Sequence, residues 1–123
     1  MEKTYVQIDE HRSCVTYNRG RSDELGDIVT VWFFDNQVHR EDGPARIWSF
    51  GRTEWWQHND LHRVDGPAII QSDGTQWWYL NGIQHREDGP AVEWEDGKKE
   101  WWIKGREMTQ FEHWLLTSIK ETV

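Results

Sequence analysis

Three copies of one heptapeptide hold most of the residues in this chain that are equipped for chemistry. His39-Arg40-Glu41-Asp42-Gly43-Pro44-Ala45 returns as His62-Arg63-Val64-Asp65-Gly66-Pro67-Ala68 and as His85-Arg86-Glu87-Asp88-Gly89-Pro90-Ala91. Imidazole beside carboxylate is the material of a metal site or of acid–base catalysis, and a guanidinium suits anions. Spacing decides against the first two. On paired hairpins, equivalent residues stand roughly 10 Å apart, too far to converge on one ion held at about 2 Å. The residues read instead as corner chemistry: Asp bonds the backbone of its own turn, while Arg pairs with that Asp or lies on a Trp face. Nucleophilic catalysis has little support, because Cys14 is the one thiol and no Gly-x-Ser-x-Gly or phosphate-cradling glycine loop is present. The expectation is a protein that is not an enzyme and uses no metal or cofactor.

The elements that position these corners follow from their period. The copies begin at 39, 62 and 85, a fixed step of 23 that signals a repeat architecture. Trp32, Trp55, Trp78 and Trp101 keep the same step, each followed by another aromatic: Phe33, Trp56, Tyr79 and Trp102. Two turn positions bracket each aromatic run, one at Gly51, Gly74 and Gly97, the other at Asn36, Asn59, Gly82 and Gly105. Asp73-Gly74, Asp96-Gly97 and Asn81-Gly82 are dipeptides that two-residue hairpin turns favour. Each unit therefore reads as strand, turn, Trp-bearing strand, second turn and corner, with Pro where a strand tolerates a missing N–H. Units laid side by side make an antiparallel meander.

Both ends depart from the period. Residues 1–27 read as a degenerate unit, with a strand from Thr4 to Ile8 and His11-Arg12 as a worn copy of the opening pair. From His11 to His39 is 28 residues, and the surplus of five falls in the polar stretch Asn18 to Asp27. Residues 28–108 carry the regular repeats. In 109–123 the period becomes helical: Thr109 and Glu112 form a capping box, and Phe111, Trp114, Leu115 and Ile119 share one face. That face is predicted to cover the last open edge of the sheet, or else to dock a partner.

Composition bounds the partners. The 123 residues suit one domain, and ten Trp make stacked aromatics the source of its stability. A net charge of −8 argues against duplex nucleic acid. With no apolar run long enough to span a bilayer, no signal-peptide pattern and a single cysteine, the expectation is a cytoplasmic protein without a membrane partner.

The heptapeptide, together with Trp78-Tyr79-Leu80-Asn81-Gly82, resembles MORN-type repeats, and more closely a MORN-like variant met largely in bacteriophage, giant-virus and some bacterial proteins. The likeness covers about Ile28 to Met108 and departs at Asn59-Asp60 and at Val64. It implies a mainly β fold, a single-layer twisted antiparallel meander of 23-residue β-hairpin repeats, to which the residues after Met108 add the C-terminal capping α-helix. It also implies a binding or scaffold module of viral origin, acting in the host cytoplasm, with no shared chemistry.

Comparison between units points to where binding resides, since a residue that only one unit carries is free to serve function. Trp77 stands where the other units have Glu54 and Glu100, and strand alternation places it beside Tyr79 on the face of Trp56 and Trp102. In a single-layer sheet that face is either covered by the terminal segments or open for binding. Arg63, Arg86 and the loop residues Arg19 and Arg21 are the cations within reach of a ligand. Two functions follow. One is sequestration of a small nucleotide-like anion, a phage counter to host defence. The other is a protein–protein module that inhibits or scaffolds a host or viral protein, with homo-oligomerisation through the aromatic face as a further arrangement.

Overall fold

The computed structural model describes residues 2–18 and 27–121. Three long strands open the chain: β1 (Glu2–Gln7), β2 (Arg12–Asn18) and β3 (Ile28–Phe34). Short strands follow: β4 (Gln37–Val38), β5 (Arg46–Trp48), β6 (Thr53–Glu54), β7 (Trp56–Gln57), β8 (Asp60–Leu61), β9 (Ile69–Ile70), β10 (Gln76–Trp77), β11 (Tyr79–Leu80), β12 (Ile83–Gln84) and β13 (Val92–Glu93). Then come β14 (Lys99–Ile103), β15 (Arg106–Met108) and the helix α1 (Gln110–Glu121). The main sheet is an open antiparallel meander in the order β1-β2-β3-β5-β6-β9-β10-β13-β14-β15, as the repeat demands.

The Trp-bearing strand does not run straight through each unit. At Trp55 and Trp78 it leaves the main sheet, and β7–β8 and β11–β12 form separate two-stranded ribbons. The repeated Trp is the pivot. The Trp55 N–H donates to Ala68 O in the main sheet (2.7 Å), and its carbonyl accepts from His62 N–H in the ribbon (2.9 Å). Trp78 does the same with Ala91 and His85, and Trp32 with Ala45 and His39. Ala45, Ala68 and Ala91 are fully buried, so each corner closes on a side chain no larger than a methyl group.

The two turns of a unit differ in kind. The ribbon turns follow the expected two-residue geometry, with both central residues left-handed: Asn81 and Gly82 at φ 49° and 78°, Lys104 and Gly105 at 50° and 79°. The Asp-Gly turns are a correction, because only Gly74 (95°) and Gly97 (91°) are left-handed. There Gly74 N–H donates to Gln71 O (3.0 Å) and Gln71 N–H to Thr75 O (2.9 Å), a three-residue loop ending in glycine. The cause is the aspartate itself, whose carboxylate accepts a backbone N–H two residues on: Asp73 from Thr75 and Asp96 from Lys98, each at 2.9 Å.

At the carboxyl end the capping box forms. Glu112 N–H donates to Thr109 Oγ1 and Thr109 N–H to Glu112 Oε1, both 3.1 Å. The inward face is another correction. Phe111, Trp114, Leu115 and Ile119, expected against the sheet, are 44–67% exposed. The helix docks instead through His113, only 5% exposed, whose Nε2–H donates to Arg86 O at 2.7 Å. This part-buried hydrogen bond holds the polar side of α1 inward.

Candidate functional site

The heptapeptide corners are locked. In each, the guanidinium lies over the indole of the same unit: Arg40 on Trp32 at 4.2 Å, Arg63 on Trp55 at 4.1 Å, Arg86 on Trp78 at 3.9 Å. Its Nε donates to the aspartate two residues on and its Nη1 to the carbonyl of the corner proline; for Arg86 these bonds are 2.9 and 3.0 Å. Its other side rests on the corner glycine, where an added Cβ would come within 2.7 Å of Arg63 Cζ or Arg86 Cζ. The histidine is an inter-unit staple. Nδ1 of His39, His62 and His85 accepts the backbone N–H of His58, Asn81 and Lys104 at 3.2, 2.9 and 2.9 Å, each residue opening the ribbon turn of the next unit. Among the described residues no group of three His, Cys, Asp or Glu is placed to hold a metal ion. Burial pushes the Cys14 thiol up, away from the thiolate that nucleophilic work needs.

The candidate residues therefore divide. Arg63 and Arg86 belong to the corners and lie on Trp55 and Trp78, whose side chains alternate along the chain with Trp56 and Tyr79. Arg19 and Arg21 lie outside the described residues. Trp56, Trp77, Tyr79 and Trp102 are half-buried. Trp77 sits in the main sheet and Tyr79 in a ribbon, on either side of the Trp78 pivot, and burial pushes the Tyr79 hydroxyl up. The ring that meets Trp77 is Trp94, edge-on at 5.6 Å. Glu100 then ties this group together, accepting the indole N–H of Trp94 at 2.7 Å and of Trp102 at 3.1 Å.

A second group, around Trp56, is built on the same plan with more charge. Buried Glu54 accepts Trp56 Nε1–H (2.8 Å) on one oxygen, and Arg52 Nε–H (2.9 Å) and Nη2–H (2.7 Å) on the other. Arg46 lies over the other side of this group, its guanidinium 4.7 Å from the Trp56 ring centre. Its ion pair with Glu54 is open, at 3.8 Å, and its buried Nε has no hydrogen-bond partner among the described residues. Beside it is a cavity of about 360 Å³ lined by Tyr17, Val29, Val31, Phe33, Val38, Arg46 and Trp48. The unit comparison singled out Trp77 and overlooked Arg46. The signal was there: the same position holds Ile69 and Val92 in the next two units.

Comparison with protein-family models, with curated proteins and with solved structures finds no match to this chain. The MORN-like expectation therefore rests on the repeat's own residues. None of the helices among the described residues is long and apolar enough to cross a membrane.

Proposed function

We propose that this chain is a non-catalytic interaction module, a MORN-like repeat scaffold that engages a partner protein through α1. The observation that carries the reading is the orientation of that helix. Phe111, Trp114, Leu115, Leu116 and Ile119 are exposed together on a helix whose opposite side is tied down by His113. An apolar stripe left open on a polar, acidic chain marks an interaction surface, and an amphipathic helix fits a hydrophobic groove on a partner. The net charge of −8 favours a partner whose groove has a basic rim. A host or viral protein is the partner class that the repeat's resemblance implies. The alternative, a nucleotide-like anion on the aromatic face of Trp56, Trp77 and Tyr79 with Arg63, Arg86, Arg19 and Arg21, is less well supported, because Arg63 and Arg86 are each engaged with the corner aspartate and the corner proline carbonyl.

The test is a photo-crosslinking amino acid at Trp114, in the full chain, in the cells that express it. The expected outcome is one stoichiometric adduct that disappears when Leu115→Asp and Ile119→Asp are added. Exposed substitutions of this kind change stability by about 0.5 kcal/mol or less, so the sheet persists. Adducts that are diffuse and unchanged by the two aspartates would sink the proposal, as would an adduct of twice the chain mass alone.

A further inference from the structure

We infer that the cavity between β2, β3 and β5 is a binding site for a small planar ligand that carries an anionic group. The inference is independent of the α1 reading, since no residue of α1 lines this cavity. Size and lining come first. About 360 Å³ is enough for a single ring system with an acidic substituent, and aromatic walls with few polar groups are the usual composition of small-molecule sites. Tyr17, Phe33 and Trp48 supply ring surfaces, while Val29, Val31 and Val38 are buried and exclude water.

Charge then selects the sign. Three cations border the cavity or its wall: Arg46 lines it, Arg52 lies over Trp48 at 5.5 Å, and Lys3 lies over Tyr17 at 5.6 Å. Among the described residues Glu54 is the carboxylate paired with Arg46 and Arg52, and its shorter bonds go to Arg52 and the Trp56 indole. Arg46 keeps only an open 3.8 Å ion pair and the face of Trp56, and its Nε is buried without an acceptor. A guanidinium half withdrawn from water with unspent donors is a receptor for a carboxylate or phosphate oxygen.

The repeat supplies an independent argument. Where Arg46 stands, the next two units have Ile69 and Val92, and both pair within the same sheet. The unit therefore folds without an arginine at this position. Val29 and Val31, which make this stretch apolar, are replaced by Arg52 and Glu54 in the second unit and by Lys98 and Glu100 in the fourth. The unit that begins at Ile28 combines this apolar lining with an arginine at the position of Ile69 and Val92.

The experiment is calorimetric titration of the full chain with four probes. Adenosine 5′-monophosphate and indole-3-acetate each combine a planar group with an anionic one, from a phosphate and a carboxylate source respectively. Adenosine lacks the charge and inorganic phosphate lacks the ring. At least one planar anion is expected to bind about tenfold or more tightly than both incomplete probes, and which one binds names the source. Arg46→Ile, the second unit's own residue, is expected to weaken that binding by about tenfold, the scale of one charge-assisted hydrogen bond, without lowering the melting temperature. Leu115→Asp on α1 is expected to leave it unchanged. No binding of either planar anion at about 1 mM, the weak end of specific affinity, would overturn the inference. Equal binding of adenosine would do so too, as would full binding by Arg46→Ile.

Discussion

The heptapeptide repeats because its His, Arg, Asp, Gly, Pro and Ala belong to one closed corner, while its third position is exposed and varies, with Val64 76% exposed. The guanidinium is held between an indole and a glycine, and a Cβ at Gly66 would fall 2.7 Å from Arg63 Cζ, so the guanidinium would have to move aside. Gly66→Ala should therefore push Arg63 off Trp55 and lose its charged bonds, at a cost of about 1–3 kcal/mol in urea unfolding. Gly74→Ala is the contrast. Nothing lies within 4 Å of its added Cβ, so only the left-handed φ of 95° resists, at about 1 kcal/mol. Titration at the degenerate first corner should run in two directions. Backbone N–H groups of His11 and Arg12, with the Arg12 side chain, hold the Asp9 carboxyl at about 2, below its ordinary 3.8. Its contribution is present above the ordinary value and lost as pH falls through the folded one. The Asp35 carboxylate, bonded to His11 Nδ1 at 2.7 Å, raises the His11 imidazole above 6.5. That contribution is full below 6.5 and lost as pH rises through the folded value. Asp35→Asn should bring the His11 midpoint down in an NMR titration, while Asp9 stays low.

At the scale of elements, the ribbon turns and the helix cap are legible because their signals are local, whereas the Asp-Gly turns take the geometry that their aspartates set. The capping box was read from Thr109 and Glu112 alone, and its two bonds are both present. The Glu112 carboxyl is lowered by the Thr109 backbone N–H first and by the Thr109 side chain second. Thr109→Ala should cost about 1 kcal/mol, raise the Glu112 midpoint and speed hydrogen exchange in the first turn of α1. The orientation of α1 was not legible, because its apolar stripe lost to a single part-buried polar contact made by His113 with Arg86 O, 27 residues earlier. The break in the Trp-bearing strand was hidden for a related reason. A run such as Gln76 to Leu80 alternates as one strand, and only the bonds of Trp78 to Ala91 and His85 show it serving two sheets.

Across the whole molecule, units are joined by the main-sheet ladder and by the histidine staples. His62 Nδ1 reaches Asn81 N, 19 residues on; His11 meets Asp35, 24 residues on, the difference being the five-residue surplus. In the degenerate N-terminal unit the bond to His11 is made by the Asp35 side chain in place of a backbone N–H. Because each unit touches its neighbours alone, His62→Ala should cost about 0.5–1.5 kcal/mol and lose amide protection around β11 and β12, while β2 and β3 keep theirs. Hydrogen-exchange mass spectrometry separates these regions. By itself, the sequence determined the period, the meander and the structural role of the corners, since each depends on residue type and spacing that recur in every copy. Tertiary structure alone decided that the buried Nε of Arg46 lacks an acceptor among the described residues, and which face of α1 is exposed. Arg46 resembles Arg63 and Arg86 in one dimension, but only in three do its Trp and its carboxylate prove to be shared with others, which leaves its ion pair with Glu54 open and its buried Nε without an acceptor among the described residues.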